Sequence, residues 1–322
     1  MLRSSLFPNA RRRTWAAALA CAVAAFGSAT GAGASGPPDP SGQGTAPISV
    51  TGLQTPESAL YDAGNDVYLV SNFGGENGSP LAVDNDGFIS RIAPDGTVLD
   101  PKFITGGLSA PKGMAMVGHT LYVVDIGTVH LFDVDTGEAS GAVPIPGAAF
   151  LNDIAAARNG TVYVSDTGFK VDATLTGFEP SGTDAIYEIN RQGQVSVLAQ
   201  GNALLHHPNG VAVKGSGEIA VVTYDPFDGV HELLVLDRHG RLKTTSDLPA
   251  GLLDGVVLVN GQRAVVSSWE TASIYEVQPG GQITQIATNL PSPADIGFDP
   301  QRSRILIPLM IENSLVILPY GR

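Results

Sequence analysis

One short pattern recurs six times along this chain, and that recurrence constrains the fold more than any other feature. A turn, a small or polar residue and then an apolar run appear at Thr55-Pro56-Glu57-Ser58-Ala59-Leu60, Ala110-Pro111-Lys112-Gly113-Met114-Ala115, Phe150-Leu151-Asn152-Asp153-Ile154-Ala155, His207-Pro208-Asn209-Gly210-Val211-Ala212, Leu252-Leu253-Asp254-Gly255-Val256-Val257 and Ser292-Pro293-Ala294-Asp295-Ile296-Gly297. Each start leads to a second run, such as Val67 to Ser71 or Val162 to Asp166, and then to a third, such as Ser273 to Val277. A turn such as Pro94-Asp95-Gly96 then opens a fourth. Runs of five to seven residues rich in Val, Ile, Leu, Tyr and Thr, set between Gly, Asp, Asn and Pro turns, read as β-strands, and no segment holds a helical period.

Each repeat, about 40 to 57 residues long, is therefore a four-stranded antiparallel meander. Six of them predict an all-β, six-bladed β-propeller. A β-sandwich would not produce six repeats sharing one start. The sixth repeat stops at Leu318-Pro319-Tyr320 after three strands, whereas Pro47 to Gly52 precedes the first repeat unpaired. The N-terminal strand is expected to complete the last blade, which removes two exposed sheet edges.

The first strand of each blade lines the central channel, so one alignment column forms a circle at its mouth. That column is Glu57, Lys112, Asn152, Asn209, Asp254 and Ala294. Taken alone, Asn209-Gly210 and Asp254-Gly255 read as turns. A turn reading does not explain Glu57, nor why four oxygen-bearing side chains share the column. Two carboxylates with two amides form an all-oxygen set of charge −2 that suits one hard divalent cation, Ca²⁺ foremost, with Zn²⁺, Mg²⁺ or Mn²⁺ as alternatives.

The ordered set Glu57-Ser58, Asn152-Asp153, Asn209-Gly210 and Asp254-Gly255 resembles the senescence marker protein (regucalcin), gluconolactonase and luciferin-regenerating enzyme family, from about residue 47 to the C-terminus. The resemblance implies a cation on the propeller axis and hydrolysis of lactones. It implies Glu57, Asn209 and Asp254 as metal ligands, Asn152 as a ligand or substrate contact, and Asp254 as general base. Two positions depart from the pattern. Phe150 stands where sugar-lactone members carry Arg, which points to a less polar substrate. Lys112 replaces a small residue; it could anchor a substrate carboxylate, pair with Asp254 or snorkel into solvent.

His206 and His207 precede Asn209 and are candidates for proton shuttling, His207 also for substrate contact, against the plainer reading of exposed loop histidines. The connections Asn72 to Asp86, Thr167 to Asp184 and Tyr224 to Gly229 are expected on the face of the axial column. Asn72, Asp125, Asp166, Tyr224 and Trp269 fall near that rim, as pocket residues or as strand-end caps. Asp84-Asn85-Asp86-Gly87 lacks the later ligands of a calcium loop and reads as a turn. Neither a Gly-x-Ser-x-Gly elbow nor a His-Glu-x-x-His helix is present. Two functions fit. One is an exported metal-dependent hydrolase of lactones or related esters, and the other is a non-enzymatic propeller whose structural cation stiffens a surface for a small ligand or protein.

Residues 1–35 read as a secretory signal peptide: Arg11-Arg12-Arg13, an apolar run from Trp15 to Phe26 too short to span a membrane, and small residues at 31–35. A twin-arginine signal, or a lipoprotein anchored at the single cysteine, Cys21, are alternatives. Residues 36–46 form a Pro/Gly/Ser linker, and 47–322 the propeller. Cleavage near residue 35 leaves no cysteine, hence no disulfide and no thiol chemistry. A net charge of −13 argues against nucleic acid and anionic membranes as partners. A secreted or periplasmic monomer acting on a small molecule is the expectation.

Overall fold

The structure is a computed structural model that describes residues 46–75, 79–173 and 177–321. The expected signal peptide (1–35), Cys21 and, apart from Ala46, the linker (36–46) lie outside the described residues. A short strand, β1 (Ile48–Thr51), comes first. Blade 1 is β2 (Pro56–Asp62), β3 (Val67–Asn72), β4 (Phe88–Ile92) and β5 (Val98–Thr105). Blade 2 is β6 (Pro111–Val117), β7 (Thr120–Asp125), β8 (Thr128–Asp133) and β9 (Ala139–Pro144). Blade 3 contains β10 (Leu151–Ala156) and β11 (Val162–Asp166), an inserted hairpin of β12 (Phe169–Val171) and β13 (Phe178–Pro180), then β14 (Ala185–Ile189) and β15 (Val195–Gln200). A one-turn helix, α1 (Asn202–Leu205), leads to blade 4: β16 (Pro208–Val213), β17 (Ile219–Thr223), β18 (Glu232–Leu236) and β19 (Leu242–Asp247). Blade 5 is β20 (Leu253–Val259), β21 (Arg263–Ser268), β22 (Ser273–Val277) and β23 (Ile283–Ala287), and β24 (Gly297–Asp299), β25 (Arg304–Leu309) and β26 (Ser314–Pro319) follow.

Every blade is an antiparallel sheet of four strands, and together they form the six-bladed propeller read from the repeats. The last has the order β1-β26-β25-β24, with Ile48 opposite Ile317 and Thr51 opposite Ser314. The chain ends are thus joined in one sheet, and ring closure costs no unpaired edge there. The hairpin β12–β13 departs from the expected simple loop over Thr167 to Asp184. Val171 pairs with Phe178 and Phe169 with Pro180. No described helix is long and apolar enough to cross a membrane.

Each sheet buries both faces against its neighbours. Among the described residues, six apolar clusters fill the six gaps between adjacent blades. In one gap Ala115, Val124 and Val129 of blade 2 meet Leu151, Val162 and Tyr187 of blade 3. In the closing gap Val50, Leu306 and Ile317 meet Ala59, Tyr68 and Val70. Strands buried on both faces read as near-continuous Val/Ile/Leu runs rather than alternating ones, as β25 (Arg-Ile-Leu-Ile-Pro-Leu) does.

Candidate metal centre

The inner strands β2, β6, β10, β16 and β20 share one irregularity. In each, the register against the second strand slips between the first and the fourth residue, for example between Pro208 and Val211 and between Leu253 and Val256. The two residues within each slip are Glu57-Ser58, Lys112-Gly113, Asn152-Asp153, Asn209-Gly210 and Asp254-Gly255. A bulge re-aims side chains out of the ladder, and here it releases the axial column in five successive blades. Where the bulge frees a backbone N–H, a serine of the second strand accepts it: Ser71 from Ser58 (2.9 Å), Ser165 from Asp153 (2.9 Å) and Ser267 from Gly255 (2.8 Å).

This geometry corrects the turn reading of Asn209-Gly210. Pro208 to Val213 is strand, and the left-handed residues are His206 (φ 46°) and His207 (φ 61°) just before it. Gly210 is required by crowding. A Cβ there would lie 2.5 Å from the carbonyl oxygen of Asp254 on the next inner strand, and one on Gly113 would lie 2.6 Å from Cα of Asp153.

All six column residues are buried. Three of them carry a buried oxygen without a hydrogen bond: Glu57 Oε2, Asn209 Oδ1 and Asp254 Oδ1. Asp254 is held through its other oxygen, which accepts the indole Nε1–H of Trp269 at 2.7 Å. Asn152 Nδ2 donates to Thr167 Oγ1 (3.0 Å), and that hydroxyl donates to the Pro208 carbonyl (2.9 Å). One N–H of the amide is thereby engaged, which fixes the orientation of the group and leaves its oxygen for other use.

A second set of carboxylates, Asp153 and Asp295, stands one residue beyond the column. Asp153 accepts from Val211 N of the next blade (2.6 Å) and from Ile154 N (2.6 Å). Asp295 accepts from Ser58 Oγ (2.5 Å), tying blade 6 to blade 1. Both lie at the inner end of a cavity of about 570 Å³ that continues down the channel past Met114, Val211 and Val256. Sequence reasoning assigned these two residues no role. The available signal was an Asp directly after the column position in blades 3 and 6.

The buried charges do not balance. Burial, then the charges of Asp254 and Asp295, push Glu57 well above the usual carboxylate range. Burial and the charge of Asp295 push Asp254 up to about 8, against the Trp269 hydrogen bond that favours its ionised form. Asp295 rises to about 7 through burial, and Asp153 is raised by burial and by Asp295. Lys112 is pushed down to about 8 by burial, although Glu57 and Asp125 pull the other way. Four mutually repelling buried carboxylates, of which only Glu57 is near the Lys112 ammonium, with three orphaned oxygens, fit a hard divalent cation, which would neutralise the carboxylates and satisfy the oxygens. Among the described residues no three Asp, Glu, His or Cys side chains suffice to hold a metal. A cation held here would need the amide oxygens of Asn209 and Asn152 beside the carboxylates.

The other expected site residues divide. Lys112 does not snorkel: it is fully buried, donates to the carbonyls of Pro80 (3.0 Å) and Ala110 (3.1 Å), and its ammonium lies 5.4 Å from the Phe73 ring centre and 4.9 Å from that of Phe150. Phe150 is buried edge-on against Phe169 and Phe178. His207 is buried too, its Nδ1 2.9 Å from the Thr167 carbonyl and 3.0 Å from Asp184, its Nε2 beside Asn202, its ring against Phe169 and Phe227. These contacts make His207 a strut rather than an exposed loop histidine. Asp125, Asp166 and Asn72 are strand-end caps. Asp125 accepts from Ser109 N and Ala110 N, Asp166 from Ala149 N and Phe150 N, and Asn72 from Gln54 N.

In five of the six blades the residue after the second strand is bonded back to the start of the inner strand. Phe73, Thr167, Tyr224, Trp269 and Met310 donate their backbone N–H to Thr55, Phe150, His207, Leu252 and Ser292, each two positions before a column residue. This brings the backbone of Tyr224 and Trp269, and likewise of Phe73, Thr167 and Met310, beside the starts of the inner strands.

No protein-family model matches the chain, and no curated protein does. Solved structures do. A gluconolactonase from Xanthomonas campestris, described as important in glucose secondary metabolic pathways, superposes with a TM-score of 0.65 at 20% identity over 85% of this chain and 89% of that one. A protein proposed to be a gluconolactonase follows with a TM-score of 0.62 at 15% identity, covering 86% and 94%. Streptogramin B lyase matches with a TM-score of 0.58 at 11% identity, covering 84% and 97%. The chain thus shares the propeller fold of the gluconolactonase-like proteins to which its ordered motifs drew attention.

Proposed function

We propose that this protein is an exported hydrolase of lactones or related esters that works with one divalent cation held at the channel mouth by Glu57, Asn152, Asn209 and Asp254. The observation that carries the reading is the trio of buried oxygens without partners, Glu57 Oε2, Asn209 Oδ1 and Asp254 Oδ1, in one column of the propeller. Ca²⁺ suits this all-oxygen set best, with Zn²⁺, Mg²⁺ and Mn²⁺ as alternatives. When bound, the cation supplies charge neutralisation and Lewis-acid polarisation of the ester carbonyl. Asp254 is the base. Trp269 fixes its plane through Oδ2; Oδ1 takes a proton from the attacking water as the water oxygen bonds to the ester carbonyl carbon, and gives it to the leaving alkoxide as the ester C–O bond breaks. Glu57 and Asn209 position the reacting group, and Thr167 keeps the Asn152 oxygen available.

Support also comes from neighbours of like fold, among them a gluconolactonase, although streptogramin B lyase shows that one fold hosts different reactions. The signal-like residues 1–35 support export to the periplasm or outside the cell. The test measures bound metal and turnover of a panel of lactones and esters by wild type and Asp254→Ala, with products identified by mass. Hydrolysis adds one water to the product; lyase chemistry gives an isomer. A wild type that binds no divalent cation, with turnover indifferent to Asp254, overturns the reading. Bound cation without turnover favours the ligand-binding propeller.

A further inference from the structure

An aromatic surface surrounds the site on one side. Trp269, bonded to Asp254, packs edge-on against Tyr224 (6.5 Å between ring centres), and Tyr224 packs against Phe169 (6.3 Å). Phe169 in turn touches Phe150 (5.9 Å), Phe178 (6.3 Å) and Phe227 (5.8 Å). The series crosses blades 5, 4 and 3. Its inner members, Phe150 and Phe169, are buried, whereas Trp269, Tyr224 and Phe178 are partly exposed and Phe227 is 42% exposed. The hairpin β12–β13 supplies Phe169 and Phe178, so an insertion found in one blade builds much of this surface.

Several polar side chains on the same elements are already engaged, while one buried oxygen each of Asp184 and Asp225 has no hydrogen bond. Thr167 serves Asn152 and Pro208, His207 serves Asp184 and Thr167, and Asp166 caps three backbone N–H groups. Lys112, the one cation of the axial column, is sealed between Phe73 and Phe150 with two of its three N–H bonds given to carbonyls. A polyhydroxylated ligand needs a partner for each hydroxyl it buries. A flat apolar ring needs only faces and edges.

We propose that the substrate carries a flat aromatic group, held against Phe178, Tyr224, Phe227 and Trp269 while its ester carbonyl reaches Glu57, Asn209 and Asp254. This rests on the hydrolase reading above. The selectivity comes from the aromatic surface itself, with Phe178 and Phe227 as specificity-determining residues.

Three δ-lactones test it: one benzo-fused, one unsubstituted and one polyhydroxylated, compared by kcat/KM in the full protein with divalent cation present. The benzo-fused lactone is expected to be favoured over the unsubstituted one by about tenfold or more. Phe178→Leu and Phe227→Leu keep the apolar character and lose the ring, and each should reduce that preference about threefold to tenfold. A higher kcat/KM for the polyhydroxylated lactone, or a preference unmoved by both variants, overturns the proposal. If no lactone is turned over, the hydrolase reading fails on its own, and binding of the benzo-fused lactam decides. Trp269 is the only tryptophan beyond Trp15, so the fluorescence of the Trp15→Phe chain reports the site. Saturable quenching weakened by Phe227→Leu sustains the aromatic surface, and no saturable quenching overturns it.

Discussion

Trp269 and Asp254 are joined by a 2.7 Å hydrogen bond that uses one carboxylate oxygen and leaves the other buried without a partner. The two come from adjacent strands of blade 5: Asp254 stands in the bulge of β20, and Trp269 follows β21 directly. Because the bond favours the ionised carboxylate, it opposes the burial that raises the Asp254 pKa.

Trp269→Phe removes that donor and keeps the bulk. A hydrogen bond to a charged group contributes about 1.5–3 kcal/mol, so kcat/KM should fall at least tenfold. The acid limb of its pH profile should also move to higher pH, since the carboxylate loses a group that lowered its pKa. A fall in rate with an unmoved profile would make Trp269 part of the wall only.

Glu57→Gln should have opposite effects with and without cation. In chelator the variant removes the cost of keeping this carboxyl protonated where burial and the charges of Asp254 and Asp295 oppose its ionisation, so its melting temperature should exceed that of wild type by several degrees, on the order of 1–3 kcal/mol. In excess Ca²⁺ or Zn²⁺ wild type should be the more stable, because it alone retains the full ligand set. Thermal denaturation under both conditions decides, and a variant less stable in both refutes the charge argument.

The cation-free protein should lose stability as pH rises from about 5 to about 8. Glu57, Asp153, Asp254 and Asp295 all have folded-state pKa values above those of the unfolded chain. The folded state therefore binds more protons, and the stability this confers is present on the acid side. It is lost as pH passes through about 7 for Asp295 and about 8 for Asp254. Melting curves in chelator across this range check the sign, and added divalent cation should flatten the trend.

Gly210→Ala should cost about 1–3 kcal/mol through overpacking, because its Cβ would press on the Asp254 carbonyl. Chemical denaturation measures the loss. Cation affinity, read by calorimetry, should fall with it, since the same shift displaces both Asn209 and Asp254. An Ala variant as stable as wild type would show that the inner strands can part at no cost.

His207→Leu tests the strut. It leaves the buried Asp184 carboxylate without its imidazole partner, at a cost of about 2–3 kcal/mol. Turnover by the folded fraction should change little. A well-folded variant without turnover would instead place His207 in contact with substrate.

The six blades, the closure of the last by β1 and the axial column of Glu57, Asn152, Asn209 and Asp254 are all legible in the sequence. Strand length and turn chemistry are local properties, and sixfold repetition turns a weak local signal into an aligned column. The tertiary structure decides what neighbours from other blades impose. Gly210 is present because the strand of Asp254 crowds it, not because the chain turns there. Lys112 is buried because Pro80 and two aromatic rings from blades 1 and 3 close over it, and nothing within its own repeat specifies that. Asp153 and Asp295 become a second set of channel carboxylates because closure of the ring brings blades 3 and 6 within electrostatic reach across the axis. Residue types and their order follow from one strand at a time, whereas burial and charge balance arise only where six strands meet.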